Sequence, residues 1–538
     1  MNPEVLVFNA RIRTMDPANP QAEWVLLRDG RVAIIGDGTP PAAANRIDAG
    51  GRLLLPGFQD AHVHLLSGGT DLATAAQLYA VGSVAELQTT LAAHAALHPG
   101  LAMVTGSGWQ AGLFGDENLT AAVIDAVVPD RPAIIYDSSY HNACLNTAAM
   151  RMTGLAPGTA DPVNGHFVTD ARGCPTGMLH EDAIAWALRR LPCLSHADHL
   201  AGLRAGMAHA NRHGITGIID PRVTDHEAHV YGTLAGQDAL TLWVAGAALV
   251  KESDSPAGAV ARLTAMRAAH PGPEFHIHSA KFFMDGVFEN RTAAMLTAYA
   301  DRGDNCAPMF TEEQTAALMT ALDAARFQIH VHVIGDAATR RALNGLQAAR
   351  AANGPWPSLP QLAHLQVTDP GDHPRLAALG VMANIQPLWA RYDPVVPDIA
   401  LDMIGDARLG EVYAFRKMLD AGAQYCLSSD WPVSTLNPFE IIETAVTRQA
   451  RRVDNPKEPF IPGQAMTVAE CVHGYTIGAA AACWRSGHTG RLRPGFSADL
   501  IILDRDILAC APQEISETEV LLTLFRGQVV HRHHRFDG

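Results

Sequence analysis

The middle of the chain alternates strand-like apolar runs with helix-like amphipathic runs such as residues 312–325 and 337–351. Strands that alternate with helices favour a parallel sheet, because the chain must cross back before the next strand begins. Eight strands with intervening helices are what a (β/α)8 TIM-like barrel requires, so we predict an α/β fold of that kind. The strands are expected at residues 53–64, 216–220, 240–245, 276–283, 327–333, 361–365, 381–386 and 424–429.

Both ends of the chain consist mainly of short β-like runs. Asp29-Gly30 and Asp37-Gly38 near the start, and Arg526-Gly527 near the end, are turn dipeptides between such runs. A segment of about 55 residues buries little apolar surface when it folds alone. We therefore predict one composite β-sandwich from residues 1–55 and 487–538, around a barrel domain at 56–486. Two independent β modules are the alternative.

The first and second predicted barrel strands are separated by about 150 residues, far more than a strand-to-helix connection needs. This segment has a helix-like pattern at 84–97 and strand-like runs that begin near Leu101 and Ala133. We predict that residues 67–205 form an inserted subdomain after barrel strand 1.

Composition and charge argue against several classes of partner. The net charge is −15 with no basic run, whereas nucleic-acid binding depends on clustered cations. No apolar run approaches ~18 residues, and the start lacks the pattern of a secretory signal, so we expect no membrane partner. The 8 cysteines are scattered without a CxxC pair, which is typical of reduced thiols in a cytoplasmic protein. We predict a small-molecule substrate; a homo-oligomer is left open.

The most specific local pattern is Asp60-Ala61-His62-Val63-His64, which follows an apolar run. Residues two apart on a strand point to the same side, so His62 and His64 would face one cavity. Two converging imidazoles make half of a metal site. Two hydrogen-bonded polar residues at a strand end are the alternative interpretation.

Further candidate residues lie at the ends of later predicted strands. They are Lys281, His332 with His330 two residues before it, His364 and Asp430. Each has a structural alternative when taken alone; Lys281, for example, could be salt-bridged, since a buried ammonium is costly. Catalytic residues of such barrels converge at the C-terminal strand ends, so together these residues form a coherent site.

This order of residues resembles the metal-dependent amidohydrolase superfamily, and more narrowly amidohydrolase family 3, the branch that includes N-substituted formamide deformylases. The resemblance extends from residue 5 to about residue 530 and implies a barrel with a terminal β-sandwich. The similar segments are PGFQDAHVHL (56–65), DSSYHNACLNTAAM (137–150), PTGMLHEDA (175–183), AKFFMDGVFENRTAAM (280–295), HVHVIGDAA (330–338), LAHLQV (362–367), MANIQP (382–387), SSDWPVSTLNP (428–438) and RLRPGFSADLIILD (491–504).

The resemblance implies a ligand set for one or two divalent metal ions. His62, His64 and Asp430 would bind the more buried ion, and His332 and His364 a second one. Lys281 can be carboxylated in this family, and its carbamate would bridge both ions; an unmodified Lys281 would favour a single ion. Histidine and oxygen ligands suit Zn, with Fe, Mn or Ni as alternatives.

The expected reaction is hydrolysis of a C–N bond in an amide-like small molecule, an N-substituted formamide or carboxamide. A divalent metal lowers the pKa of a bound water towards ~7 and polarises the carbonyl group. Asp430 would take the proton from the water and return it to the leaving amine, so Asp430 and His364 are the catalytic candidates. A deaminase or cyclic-amide hydrolase on the same scaffold is the alternative. A catalytically silent scaffold protein is disfavoured, because all six positions carry competent residues.

Candidate substrate-binding residues come from predicted loops and strand ends. Aromatic residues there could line an apolar pocket, although core packing is the alternative for at least half of them. Arg291 could bind a carboxylate or hold its own loop through Asp285. The candidates are Trp109, His141, Arg291, Trp389 and Trp431.

Overall fold

The computed structural model describes residues 4–114, 118–288, 290–392, 397–451 and 458–538. The chain forms two compact units. The first unit consists of Met1–His64, Met207–Trp431 and Thr435–Gly538, and the second of Leu65–Gly206 and Pro432–Ser434. The predicted subdomain, residues 67–205, falls within the second unit.

The central sheet of the first unit has, within the described residues, 8 strands, each paired in parallel with the next. The prediction of an α/β, TIM-like barrel is confirmed. The sheet closes almost completely into a barrel. The residue after the first strand contacts the end of the last strand, because Ala61 N donates to Leu427 O over 3.3 Å. The strands are β1 (Phe58–Asp60), β2 (Ile215–Val223), β3 (Trp243–Leu249), β4 (Phe275–Phe283), β5 (Gln328–Val333), β6 (Gln361–His364), β7 (Met382–Ile385) and β8 (Gln424–Leu427).

Helices separate most of these strands, as the amphipathic runs predict. Thr224 and Thr311 each begin a helix with a capping box, in which the hydroxyl and the third helical residue satisfy exposed backbone N–H groups. The α-helices are His196–Arg212, Asp225–Gly236, Pro256–Ala269, Glu312–Ala324, Asp336–Asn353, His373–Ala378, Pro397–Ile404, Phe415–Asp420, Pro438–Thr447, Val468–His473 and Ala479–Ala482. Short helical turns are Pro387–Trp389, Asp406–Glu411, Pro462–Gln464, Gly474–Gly478 and Pro512–Glu517.

Strands from both ends of the chain pair in one sheet. Asn45–Pro56 runs parallel to Val5–Arg13 and antiparallel to Leu500–Leu503. Buried side chains from both ends, including Val7, Leu54 and Ile502, pack in one hydrophobic cluster. The two-layer sandwich itself stays a prediction. The other strands of this sheet are Gln21–Ala22, Trp24–Arg28, Arg31–Gly36, Val520–Phe525 and Gln528–Arg532.

Two of the three predicted turn dipeptides make hairpins. Asp29-Gly30 joins Trp24–Arg28 to Arg31–Gly36, and Arg526-Gly527 joins the last two strands; all four residues have positive φ. Asp37-Gly38 does not, because the following strand, Asn45–Pro56, pairs in parallel with Val5–Arg13.

The predicted strand 53–64 is wrong as a single element. Its first part belongs to Asn45–Pro56 in the terminal sheet, and only Phe58–Asp60 lies in the barrel. Gly57 separates the two, and a Cβ there would lie 2.3 Å from Thr216 Oγ1, so the close approach of β2 requires glycine. His62 and His64 therefore follow the strand instead of lying on it.

The second unit has its own sheet. Its described strands, in spatial order, are Gly165–Thr169, Pro175–Glu181, Asn142–Leu145, Ala133–Asp137, Val104–Trp109 and Ala76–Gln77. The helix Val84–Leu97 coincides with its prediction. The other helical segments are Leu65–Thr74, Ala111–Phe114, Ala121–Asp125, Thr147–Thr153 and Asp182–Leu188. Across both units, no helix in the described ranges is long and apolar enough to span a membrane.

Candidate metal centre

Backbone hydrogen bonds join the segments that follow β1 and β8. Asp430 N donates to His62 O over 2.9 Å, and His64 N donates to Trp431 O over 2.8 Å. This reciprocal pairing sets the two segments side by side at the point where the barrel closes. The side chains of His62, His64 and Asp430 converge because of these nonlocal bonds, and not through strand alternation.

Asp60 reinforces the same junction from inside the protein. Its carboxylate accepts hydrogen bonds from His62 N (3.1 Å) and from Ser429 N (3.1 Å to Oδ2). Asp60 is fully buried, and this burial raises its pKa to about 7. It thus ties the segment after β1 to the segment after β8 through the residues next to the metal-binding candidates.

The three side chains form a compact set of donor atoms, which we call the first ligand group. His62 Nε2 lies 3.5 Å and His64 Nε2 3.4 Å from Asp430 Oδ1. One ligand atom from each of the three residues lies within 4.8 Å of the other two. Asp430 Oδ1 is buried and accepts no hydrogen bond. A buried, uncompensated carboxylate oxygen between two imidazole nitrogens fits a bound cation.

The buried imidazoles of the centre are held in the neutral form. Burial lowers the pKa of His62, His330 and His364 well below the usual histidine value. Neighbouring cationic groups, Lys281 among them, act in the same direction on each of the three. Neutral imidazole is the form that binds metal ions, so the environment favours ligation.

The residues predicted to bind a second ion, Lys281, His332 and His364, lie on β4, β5 and β6, and we call them the second ligand group. The rings of His332 and His364 lie 4.4 Å apart between centroids. His332 Nε2 donates to the backbone oxygen of Gly286 over 3.2 Å. His364 Nδ1 lies 2.9 Å from Gln386 Oε1 and 3.9 Å from Asp430 Oδ2. His364 therefore stands between the two groups.

Lys281 is fully buried, and its ammonium makes no hydrogen bond. Its Nζ lies 4.6 Å from the centre of the Phe283 ring, and its residue pairs with His330 in the β4–β5 register. Burial lowers the pKa of Lys281 to about 7. A buried ammonium with no hydrogen-bond acceptor raises the free energy of the folded protein. This position therefore favours either an anionic partner or a chemical modification that removes the positive charge of Lys281.

The backbone is strained at two of these residues. His364 has φ 81°, the following Leu365 has φ 49°, and Asp430 has φ 57°. Left-handed backbone costs a non-glycine residue about 1–3 kcal/mol and clusters at functional sites. The packing around the barrel mouth therefore holds both side chains in directions that a relaxed strand end would not give.

The three predicted substrate residues of the first unit have different neighbours in the structure. Trp389 stacks on His364, with ring centroids 5.5 Å apart and planes inclined by 23°. Trp431 is 7% exposed and packs on the ring of His209 at 5.3 Å. Arg291 forms a two-point ion pair with Asp301, at 2.9 and 2.6 Å.

One of the two interpretations of Arg291 is that it holds its own loop through Asp285, but the ion pair of Arg291 is with Asp301 instead. Asp285 accepts backbone N–H bonds from Ala294 (2.9 Å), Ile334 (3.0 Å) and Gly335 (2.9 Å). Its carboxylate thereby fixes the turn that follows β5, just beyond His332. Asp301 is the residue that pairs with Arg291 and holds its loop.

The remaining two candidates lie in the second unit. Trp109 is 1% exposed and packs edge-on against Phe114 at 5.6 Å, which favours core packing. His141 Nδ1 lies 2.7 Å from Glu181 Oε2, in an ion-pair geometry. The substrate-binding roles of both residues stay predictions.

Three further residues support the ligands; sequence reasoning gave no role to Asp60 and Gln386, and it noted His330 only beside His332. Asp60 lies two residues before the HxH motif, and His330 lies two residues before His332, where its Nε2 is 3.0 Å from His62 Nδ1. Gln386 stands in the MANIQP segment and contacts His364. Only their proximity to the motifs could have singled them out, since each resembles an ordinary polar residue near a strand end.

Several known proteins are similar to this chain over almost its whole length. An N-substituted formamide deformylase of Arthrobacter pascens is 27% identical, over 97% of this chain and 97% of that protein. Protein LONG AFTER FAR-RED 3 of Arabidopsis thaliana is 26% identical, over 98% and 91% respectively. The crystal structure of an uncharacterized metal-dependent hydrolase from Pyrococcus horikoshii superposes with a TM-score of 0.76 at 22% identity, covering 95% of this chain and 99% of that one.

A family described as the amidohydrolase family matches residues 46–531, which is most of the chain. That range contains both ligand groups and every barrel strand. The chain therefore belongs to the amidohydrolase family and is a metal-dependent hydrolase that acts on carbon–nitrogen bonds.

Proposed function

We propose that this protein hydrolyses the C–N bond of an amide-like small molecule, an N-substituted formamide or carboxamide, with Asp430 as the residue that transfers the proton. The observation that carries the proposal is the buried Asp430 Oδ1, which accepts no hydrogen bond and lies 3.4–3.5 Å from two imidazole nitrogens. The formamide deformylase among the relatives supports the substrate class.

The chemistry of the donors suits a divalent cation, and we propose Zn. Neutral imidazoles and a carboxylate are the ligands that Zn takes in catalytic sites. His62, His64 and Asp430 would hold one ion, and His332, His364 and a modified Lys281 a second. A divalent ion supplies Lewis acidity, which lowers the pKa of a water molecule and polarises a carbonyl group.

The chain itself supplies the proton transfer. Asp430 takes a proton from the attacking water, whose oxygen bonds to the carbonyl carbon. The C–N bond then breaks, and Asp430 returns the proton to the leaving nitrogen, so that the products are a carboxylic acid and an amine. His364 is the second residue that we assign to the reaction, because it lies 3.9 Å from Asp430 Oδ2 and beneath Trp389.

We propose that Lys281 is carboxylated. Its buried Nζ makes no hydrogen bond, and reaction of the neutral amine with CO2 forms a carbamate and releases one proton. The product is an anion with two oxygen donors. This change removes the cost of an isolated buried ammonium and adds the negative charge that the second ligand group lacks.

The substituent on the substrate nitrogen is proposed to contact Trp389. This indole is partly exposed and stacks on His364, so it can offer an apolar face beside the reacting atoms. Arg291 is a weaker candidate, because Asp301 already occupies its guanidinium. We also propose a reducing compartment such as the cytoplasm, because all 8 cysteines, each in the described residues, are free thiols.

A substrate panel tests the proposal. Purified protein with one or two equivalents of Zn is offered N-substituted formamides, carboxamides, cyclic amides and aminated heterocycles, and amine and ammonia release are measured separately. We expect amine release from formamides or carboxamides that disappears in Asp430→Asn. Ammonia release from aminated heterocycles without amide cleavage would contradict the proposal and favour a deaminase.

A further inference from the structure

A continuous chain of buried side-chain amides crosses the barrel interior and ends on His364. It consists of Gln328 on β5, Gln361 on β6, Asn384 on β7 and Gln386 just after β7, which we call the amide relay. Each of the four side chains is 1% exposed or less. Buried amides at this density need complete hydrogen bonding, so the way each one points has consequences for the next.

Each amide of the relay donates to the oxygen of its neighbour. Gln361 Nε2 donates to Gln328 Oε1 over 2.7 Å, and Asn384 Nδ2 donates to Gln361 Oε1 over 2.9 Å. Gln386 Nε2 donates to Asn384 Oδ1 over 3.2 Å. The hydroxyl of Ser428 bridges the same pair, accepting from Gln386 over 2.6 Å and donating to Asn384 over 2.6 Å.

Two backbone carbonyls fix the direction of the whole relay. Ala482 O accepts from Gln328 Nε2 (3.1 Å) and Gln361 Nε2 (3.3 Å), and Ala61 O accepts from Asn384 Nδ2 (2.8 Å). A carbonyl oxygen can only accept, so these amides cannot be turned round. Asn384 Oδ1 consequently faces Gln386 as an acceptor.

The orientation of Asn384 determines the orientation of the Gln386 amide, the last in the relay. Gln386 must turn its nitrogen towards Asn384 Oδ1, so its oxygen faces His364 Nδ1 at 2.9 Å. An amide oxygen accepts and cannot donate, so the hydrogen of this contact belongs to Nδ1 of His364.

We propose that the amide relay holds His364 in the tautomer with its proton on Nδ1, and thereby assigns Nε2 as the metal-binding atom of this residue. Gln386 is the positioning residue that makes the contact. The inference rests on the proposed function in one respect, the role of His364 as a metal ligand.

His62 shows why the relay is specific. Its Nδ1 contacts His330 Nε2 at 3.0 Å, and that partner is an imidazole, which can donate or accept at either nitrogen. The His62–His330 contact alone therefore leaves the tautomer open. At His364, the carbonyl oxygens of Ala482 and Ala61 fix the direction of the relay, so only the tautomer with a proton on Nδ1 can donate to Gln386. The other tautomer would carry its proton on Nε2 and would direct an N–H group at the cation.

The tautomer can be read without any metal. Metal-free protein labelled with ¹⁵N-histidine is examined by long-range ¹H–¹⁵N correlation, and the His364 signals are assigned from their loss in His364→Asn. We expect a protonated Nδ1 and a bare Nε2 on His364, and a shifted or mixed pattern in Gln386→Met. A protonated Nε2 in the unmutated protein would overturn the proposal.

Metal affinity gives the second readout. Zn affinity is measured by chelator competition for Gln386→Met, Gln386→Glu and Ser279→Ala. Mutation of a residue that hydrogen-bonds to a metal ligand typically lowers metal affinity about 10–100-fold. We therefore expect Gln386→Met to lower the affinity for the second equivalent of Zn by about that factor. Gln386→Glu keeps an oxygen acceptor and should restore most of the affinity.

Ser279→Ala is the matched control, because Ser279 donates to Gln328 Oε1 over 2.8 Å at the far end and contacts no proposed ligand. Unchanged affinity in Gln386→Met, or an equal loss in Ser279→Ala, would overturn the proposal. If the unmutated protein binds no divalent ion, the proposed function fails, while the tautomer experiment still decides the relay.

Discussion

The two ligand groups of the barrel are assembled in different ways. The first group, His62, His64 and Asp430, is held by reciprocal backbone hydrogen bonds and already gathers three donors around one point. The second group, Lys281, His332 and His364, is held by separate partners: a backbone oxygen, a glutamine and an aromatic ring.

This difference concerns charge as much as geometry. The first group brings a carboxylate and can neutralise part of the charge of a divalent ion. The second group as it stands brings two neutral imidazoles and a basic amine, and it acquires an anion only if Lys281 is carboxylated. The first group is thus complete in the polypeptide, whereas the second depends on a molecule from solution.

The largest expected effect comes from the proton-transfer residue of the first group. Asp430→Asn keeps an oxygen donor of the same size but removes the base, so kcat should fall by about 10²–10⁴-fold while metal stays bound. Steady-state kinetics and metal analysis on the same sample check this. Asp48→Asn, in the terminal sheet, is the control; unchanged turnover in Asp430→Asn would contradict the assigned role.

Substitution of single histidines separates the two groups. His62→Asn should weaken the tighter metal equivalent by about 100-fold or more, since a ligand matters at least as much as its outer-shell partners. His332→Asn should remove the weaker equivalent and leave the tighter one intact. Both are measured by chelator competition. If the two variants lose the same equivalent, the division into two groups is wrong.

Lys281→Met tests the dependence of the second group on a modified lysine. The variant should lose the second metal equivalent, while the free energy of unfolding of the metal-free protein holds or rises by roughly 1–4 kcal/mol, because an apolar chain replaces an isolated buried ammonium. Metal analysis and denaturant titration measure the two effects. Lys251→Met, at an exposed position, is the control. A second equivalent retained by Lys281→Met would refute the carbamate.

The smallest effect is expected at the aromatic face of the second group. Trp389→Leu removes the aromatic face that is proposed to contact the substrate; an aromatic contact is worth about 0.5–1.5 kcal/mol, so KM should rise about 2–12-fold with little change in kcat. Trp356→Leu, whose indole bonds to Asp323 instead, serves as the control. A fall in kcat without a change in KM would place Trp389 among the residues that orient His364.

The sequence predicts the barrel well, because alternating strands and helices are a local signal that each segment carries by itself. The HxH pattern also finds His62 and His64, although for a geometric reason that the structure corrects: β1 ends at Asp60, and nonlocal bonds to the β8 segment bring the two side chains together. Hydrogen bonds between two distant segments cannot be predicted from the sequence of either segment alone.

Other features of the site depend on partners that are distant or ambiguous in sequence. The left-handed backbone of His364 and Asp430 follows from the packing of the barrel mouth, and neither residue type indicates it. The sequence suggested Asp285 as a partner of Arg291, and only the fold shows that Asp301 pairs with this guanidinium while Asp285 accepts backbone N–H groups. Gln386 could not be distinguished from any other buried amide until its partners were known.

Metal content per chain decides whether the two ligand groups bind ions. Protein expressed without added metal is dialysed and measured by plasma mass spectrometry, before and after reconstitution with Zn. We expect at least one tightly held metal equivalent at the first group, and a second that binds when CO2 is present. No bound metal, even after reconstitution, would contradict the assignment of both ligand groups.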